Sequence, residues 1–140
     1  MVRKYPVSTD LLSFETEKGL IIPGDLKEYF LTNNGTDGNC DENLYCFYPF
    51  NQFTSVNAAL EDWKGIPDYS NIVNTLEGCE FCFVFADYMF HLFTYAIRLY
   101  KERRDVNEVY AICGDQYKVI ARSFNEFMQL YTTESEELHF

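Results

Sequence analysis

The sequence predicts an α+β fold, in which an antiparallel β-sheet meander of about four to six strands is flanked by N-terminal helices and a C-terminal helix. Apolar residues recur at helical spacing in two segments before residue 36 and in one segment after residue 122. Between them, short apolar runs rich in Phe, Tyr and Val are separated by polar turns, which is typical of strands. The 140 residues, 47% of them hydrophobic, are enough to bury one core without disulfides or a metal.

Two helices are predicted at the N-terminal end. The first covers residues 8–18, since Ser8, Thr9 or Asp10 can cap its start and Gly19 can adopt the left-handed conformation that ends it. The second begins at Pro23, a residue favoured in the first turn, and ends at Asn34 and Gly35. Its apolar residues recur at helical spacing and are Leu26, Tyr29 and Phe30.

The middle of the chain predicts a strand and two further helices. An aromatic run bounded by polar residues indicates a short strand over residues 44–48. A third helix is expected to start after Thr54 or Ser55, and a short fourth one to lie within residues 68–76. The apolar residues of the third helix are Val56, Ala59, Leu60 and Trp63.

A four-strand meander is predicted between residues 81 and 121. The letters FCFVFA, which begin it, are apolar throughout, so this strand should be central and covered on both faces. Strict alternation places Phe81, Phe83 and Phe85 on one face and Cys82, Val84 and Ala86 on the other. The next strands lie within residues 91–100, 109–113 and 117–121, joined by short polar links.

The last helix has the clearest pattern in the sequence. Ser123 and Glu126 have the spacing of a capping box, in which each side chain can bond a backbone N–H of the first turn. One apolar stripe follows, made of Phe124, Phe127, Met128 and Tyr131. We therefore expect a single domain over residues 1–132, with an acidic tail over residues 133–140 that is frayed or loosely docked.

Residues that could carry chemistry are few. The pair Cys79 and Cys82 has the spacing of a zinc knuckle or a redox pair, but no second close pair completes four ligands, so buried structural thiols are favoured. His91 and Asp87 could act as base and orienter, yet a core histidine is the better interpretation because no nucleophile motif accompanies them. An odd count of five cysteines indicates reduced thiols. The sequence predicts no enzyme, no cofactor and no metal.

The charge points towards a protein partner. Twenty-two acidic residues against 11 basic ones give a net charge of −11, which disfavours direct binding to nucleic acid. Such a surface attracts a basic partner, although its charge can also serve solubility alone. No apolar run is long enough for a membrane span or a signal peptide, so we expect a cytoplasmic protein that does not bind membranes.

The order of these elements resembles the SUKH superfamily, or SMI/KNR-type domain, over residues 8–132. The most specific segments are IPGDLKEYFLTNNG and IARSFNEFM, while FVFADYMFHLFTYAIRL is similar to the central strands of the family. Thr36 departs from a commoner second glycine after Asn34 and Gly35. The resemblance assigns structural roles only, to Pro23, Leu26, Phe30, Asn34, Gly35, Ser123, Phe124 and Phe127.

The resemblance implies a domain without a catalytic centre. Bacterial members of the superfamily are implicated as immunity proteins that neutralise toxins, often nucleases, whereas eukaryotic members are regulatory interaction modules. For this chain we therefore predict a toxin-neutralising protein that binds a basic toxin domain as a monomer or weak homo-oligomer. A regulatory or scaffold module and an enzyme using carboxylates near His91 are the alternatives.

The predicted partner-binding residues lie in three polar connections. They are acidic residues that can steer a basic partner, together with one aromatic residue that can anchor it. The candidates are Asp37, Asp41 and Glu42 in an acidic loop, Asp87 and Tyr88 at a bend, and Asp115 at a hairpin turn.

Overall fold

The computed structural model describes residues 6–34, 41–42, 44–60, 69, 71–89 and 92–139. The predictions that concern Gly35, Asp37, Trp63 and His91 lie outside these residues. The described part has the predicted α+β architecture, with helices at both ends of the chain and an antiparallel sheet between them.

All pairs of neighbouring strands in the sheet are antiparallel, and the strand order is β1-β3-β4-β5-β6, with β2 also paired to β3. Consecutive strands from β3 to β6 are therefore neighbours, which confirms the predicted meander. The two-residue strand β2 was not predicted, because a segment so short has no measurable period. The strands are β1 (Tyr45–Phe47), β2 (Thr54–Ser55), β3 (Cys82–Tyr88), β4 (Phe93–Arg98), β5 (Val109–Cys113) and β6 (Gln116–Ala121).

The described α-helices are α1 (Ser8–Lys18), α2 (Gly24–Thr32), α3 (Val56–Leu60), α4 (Ile72–Thr75) and α5 (Phe124–Thr132). The described residues also form three short 3₁₀ helices, η1 (Phe50–Gln52), η2 (Cys79–Phe81) and η3 (Glu136–Leu138). Local chemistry sets the ends of the longer helices. At α1, Gly19 closes the helix with a φ of 68°, and the Asp10 carboxylate accepts a hydrogen bond of 2.8 Å from the Val7 N–H.

The residues after α2 tie that helix to η1. Asn34 has a positive φ of 49°, a conformation that Asn tolerates better than most residues. Its side-chain carbonyl accepts a hydrogen bond of 2.7 Å from the Phe50 N–H. The N-terminal ends of α2 and α5 are joined in a similar way, because Asp25 accepts a bond of 2.9 Å from the Asn125 N–H. Ser123 caps α5 by accepting a bond of 3.0 Å from the Glu126 N–H.

The sheet has a separate hydrophobic cluster on each face. The first cluster joins α1, α2, α5 and η3 to one face of the strands and contains most of the buried aromatic rings. The second cluster joins α3, α4 and η2 to the other face. This arrangement explains why β3 is buried along nearly its whole length, as its unbroken apolar run predicted.

One detail of β3 differs from the predicted alternation. The register of β3 against β4 shifts between Val84 and Ala86, so Phe85 is an extra residue in the ladder. Consequently Ala86 packs in the first cluster beside Phe85, instead of facing the side of Cys82 and Val84. A bulge depends on the partner strand, which is why the sequence of β3 alone did not indicate it.

The C-terminal segment differs from the predicted frayed or loosely docked tail, because residues 136–139 pack against the sheet. Leu138 is fully buried in the first cluster, where η3 turns back onto the sheet. The Tyr95 hydroxyl donates a hydrogen bond of 2.9 Å to the Leu138 carbonyl, and the Lys118 ammonium donates to the His139 carbonyl. A single leucine among charged residues gives no periodic signal, yet its burial, together with these two hydrogen bonds, stabilises the segment against the core.

Candidate protein-interaction site

A cleft of about 500 Å³ lies where β1, the end of β3, the end of α5 and the C-terminal segment meet. We call it the aromatic cleft. Four rings line it together with polar residues from the end of α5 and from the C-terminal segment, residues 133–139. The lining residues are Tyr45, Tyr88, Tyr131, His139, Thr132, Glu134, Ser135 and Glu136. The cleft exists because the last residues of the chain fold back beside β1 instead of leaving the domain.

The rings of the cleft contact one another and form a continuous aromatic surface. The Tyr88 ring lies 4.7 Å from that of Tyr45 and 4.6 Å from the imidazole of His139, measured between centroids. The Tyr131 ring meets Tyr45 edge to face, at 5.2 Å and 82°. Such tilted and edge-to-face arrangements are the preferred ones for aromatic pairs, so the rings support each other without a ligand.

Hydrogen bonds fix the positions of these rings. The Tyr45 hydroxyl is 2.8 Å from Nε2 of His139, which connects β1 to the C-terminal segment. Asp41 holds the opposite side, because its carboxylate accepts bonds from the Tyr45 N–H, at 2.9 Å, and from the Tyr131 hydroxyl. The acidic residue just before β1 is therefore a support of the cleft.

The phenols of Tyr45 and Tyr131 have raised pKa values and stay protonated at neutral pH. Burial raises the pKa of Tyr45 to about 12, and the neighbouring Tyr88 ring and the carboxylates of Asp41 and Glu134 act in the same direction. Burial also raises the pKa of Tyr131, as does its hydrogen bond to Asp41. These directions show that the cleft disfavours an additional negative charge.

Glu134 and Glu136 add acidic groups to the edge of the cleft, and both are exposed. Within the described residues, neither forms an ion pair or a side-chain hydrogen bond. Their carboxylates are consequently available to a cationic group from another molecule.

A larger cleft of about 610 Å³ lies between α1, η1 and the start of α3. Two of its polar side chains already serve the fold, since Asp10 caps α1 and Asn34 bonds Phe50. Its ionisable residues at the surface, Glu17 and Lys18, have opposite charges. We therefore regard the aromatic cleft as the stronger candidate, because its exposed ionisable residues, Glu134 and Glu136, are both acidic and lie beside aromatic rings.

The structure places the predicted partner-binding residues near one end of the sheet, with different exposures. Tyr88 lines the aromatic cleft, Asp41 supports it, and Glu42 is exposed beside Asp41. Asp115 is exposed in the β5–β6 turn, which the strand register puts at the same end as the β3–β4 turn. Asp37 lies outside the described residues.

Asp87 differs from the other candidates because it is only 5% exposed. Its carboxylate accepts a hydrogen bond of 2.5 Å from the Tyr48 hydroxyl, and burial followed by the charge of Asp87 raises the pKa of Tyr48. The prediction that Asp87 lies at the surface is therefore wrong. A polar residue between two apolar strands suggested a bend, but β3 continues through Asp87 to Tyr88.

Sequence reasoning missed the other residues of the cleft. Tyr131 was assigned to the apolar stripe of α5, and Glu134, Glu136 and His139 were assigned to a loose tail. No sequence signal indicated that these residues meet Tyr45, because 94 positions separate Tyr45 from His139. The tyrosine content was the one available hint, since Tyr combines an apolar ring with a polar group at binding surfaces.

The cysteines show no site among the described residues. Cys79, Cys82 and Cys113 are free, and burial raises the pKa of Cys82 to about 12, which disfavours the reactive thiolate. Cys46 is disulfide-bonded, which corrects the prediction of reduced thiols at that position. The described residues contain no group of three His, Cys, Asp or Glu that could hold a metal ion, and none of their helices is long and apolar enough to cross a membrane.

Fold and cleft together define a small α+β domain with an antiparallel meander between terminal helices and a preformed aromatic surface. The chain belongs to the SMI1 / KNR4 family (SUKH-1), whose family model matches residues 7–130. This membership supports an immunity-protein-like or SMI1/KNR4-type domain and suggests protein–protein interaction as its activity. No curated protein and no solved structure matches the chain.

Proposed function

We propose that this protein is a non-enzymatic immunity protein that binds a cognate toxin domain and thereby neutralises it. The toxin class we expect is a nuclease, because a protein that acts on a phosphate backbone needs a basic surface that an acidic partner can cover. The observation that carries the proposal is the aromatic cleft with its exposed carboxylates, Glu134 and Glu136, which form no ion pair with any described residue. It is supported by the net charge of −11 and by membership of the SUKH-1 family.

A non-enzymatic role agrees with the state of the ionisable side chains. Burial raises the pKa of the phenols of Tyr45 and Tyr131 and of the thiol of Cys82, so all three are poor bases and nucleophiles at neutral pH. The imidazole of His139 is stacked on Tyr88 and bonded to Tyr45. A binding surface uses such groups without any proton transfer.

Co-expression with the toxin gene beside its own gene tests the proposal. Cells that produce the active toxin should survive when this protein is also made, and the purified pair should form a stoichiometric complex. Because steering between opposite charges is screened by salt, the association rate should fall as ionic strength rises. Failure of the protein to rescue cells or to bind any neighbouring toxin would contradict the proposal.

A regulatory or scaffold module is the second candidate. The observation that favours it is the exposed outer part of β6, where Tyr117 and Val119 are 40% and 53% exposed next to each other on one face. An edge strand with such residues can be covered by another protein. A gene without a toxin neighbour, together with a complex that depends on Tyr117 and Val119, would support this candidate over the first.

A further inference from the structure

We propose that the aromatic cleft is a receptor for one arginine side chain of the partner protein, an inference that rests on the proposed protein-binding function. Nothing in the family match assigns a ligand to these residues. Chemistry specifies the occupant: aromatic faces and carboxylates together recognise a flat cation.

The first argument is the shape of the aromatic surface. The Tyr88 ring is tilted against the buried Tyr45 ring and stacked with the rings of His139 and Phe93. These contacts leave no space between the rings, so a ligand meets the half-buried rings of Tyr88 and His139 from outside the cluster. A planar guanidinium can lie on a ring face and keep its N–H groups directed outward, whereas a compact ammonium makes less contact.

The second argument is the placement of charge. Glu134 and Glu136 line the same cleft as the rings, and neither is engaged by a described residue. A guanidinium resting on the rings can therefore donate paired N–H bonds to a carboxylate at the edge. Glu134 already acts on the interior of the cleft, because its charge contributes to the raised pKa of Tyr45.

The third argument is that the cleft is built before a ligand arrives. Asp41 holds Tyr45 and Tyr131, the Tyr95 hydroxyl holds the Leu138 carbonyl, and Lys118 donates to the backbone of His139. Among the described residues, none forms an ion pair with the carboxylates of Glu134 and Glu136 at the edge of this preformed cleft.

The experiment titrates the whole protein, labelled with ¹⁵N, with three blocked tripeptides. Their central residues are arginine, lysine and citrulline, the last being a neutral analogue of arginine with nearly the same shape. We expect the arginine peptide to shift the amide signals of Tyr88 and of residues 131–139, with affinity in the millimolar range that fits a single side chain. The lysine peptide should bind several-fold more weakly, and the citrulline peptide should give no saturable shift.

Two variants and a matched control locate the site. E134Q/E136Q removes both exposed charges and should weaken arginine-peptide binding about tenfold at low salt, while Tyr88→Leu should weaken it about fivefold by removing a ring face. The control E102Q/D105N has the same change in net charge in the exposed β4–β5 connection and should leave the affinity unchanged. Thermal unfolding of each variant confirms that it is folded, and the glutamate variant tests the site independently of core packing.

Each alternative result overturns the inference. Equal affinity for the citrulline peptide would show that charge is not recognised, and equal affinity for lysine would exclude a guanidinium site. An equal loss in the E102Q/D105N control would assign the effect to net charge. The proposed function is tested separately. If the E134Q/E136Q variant captures the toxin as well as the unchanged protein does, the arginine site is wrong and protein binding stands. If the protein binds the arginine peptide but no toxin, the proposed function is wrong and the arginine site stands.

Discussion

The two faces of the sheet are covered differently. On the first face, α1, α2, α5 and η3 enclose a cluster of aromatic rings that extends to β6, where Ile120 packs against it. On the second face, the short helices α3 and α4 cover a cluster with fewer rings, and at β6 Tyr117 and Val119 are left largely exposed. Within the described structure, the helices on the second face therefore cover the strands only as far as β5.

This difference indicates where stability and function are concentrated. The first face contains the terminal elements of the chain, and closing it also forms the aromatic cleft, because Tyr45, Tyr131 and His139 belong to its border. A change on that face should therefore affect folding and the cleft together, while a change on the exposed part of the second face should affect neither.

The largest effect is expected at the centre of the first face. Phe127 is fully buried and contacts the rings of Phe85 and Tyr95, with centroids 4.9 and 5.2 Å away. Phe127→Ala should lower the free energy of unfolding by about 3–5 kcal/mol because it leaves a cavity in rigid surroundings. Urea denaturation measures this change. The control on the second face, Val119→Ala, should stay within about 0.5 kcal/mol, and similar losses in both variants would remove the distinction between the faces.

A smaller loss is expected at the C-terminal segment. Leu138→Ala should destabilise the protein by about 2–3 kcal/mol, since Leu138 is fully buried in the first cluster. The same variant should weaken arginine-peptide binding, because Leu138 holds the adjacent His139 in place. Glu137→Gln, an exposed neighbour, is the control for both measurements. Stability equal to that of the control would mean that the segment does not close the first face.

Buried phenols on both faces have raised pKa values, Tyr95 on the first face and Tyr69 on the second, so both faces should lose stability at alkaline pH. Burial raises the pKa of Tyr69 to about 12, and its hydroxyl contacts Thr94 at 3.2 Å. Because an unfolded tyrosine titrates near pH 10, the stabilisation is complete below about pH 10 and is lost as pH rises towards 12. Each such group contributes about 1.4 kcal/mol per pH unit to that decline.

Replacing Tyr69 tests this linkage. Between about pH 10 and 12 the unfolding free energy of the unchanged protein should fall with pH. Tyr69→Phe should reduce that slope by up to about 1.4 kcal/mol per pH unit, the value for one proton, as measured by urea denaturation at several pH values. Thr94→Val is the control, because it removes the hydrogen bond and keeps the ionisable phenol. An unchanged slope in Tyr69→Phe would show that another group dominates the alkaline loss.

Much of the fold was predictable from local patterns. The first helix has the predicted bounds, Ser8–Lys18, because its end depends on Gly19 within the same segment. β5 (Val109–Cys113) and the start of α5 after Ser123 were likewise given by residues next to them in the chain. Capping, turn chemistry and apolar periodicity act over a few residues, so they can be recognised without a tertiary structure.

The sequence by itself determined the α+β class, the meander, the family and the negative charge. The tertiary structure decided that Ala86 follows a bulge, that Asp87 is buried, and that the C-terminal residues complete a cleft with Tyr45 and Tyr88. The reason is one of range. Each of these features depends on contacts between residues distant in the chain, and a local pattern contains no information on which distant surface a side chain will meet.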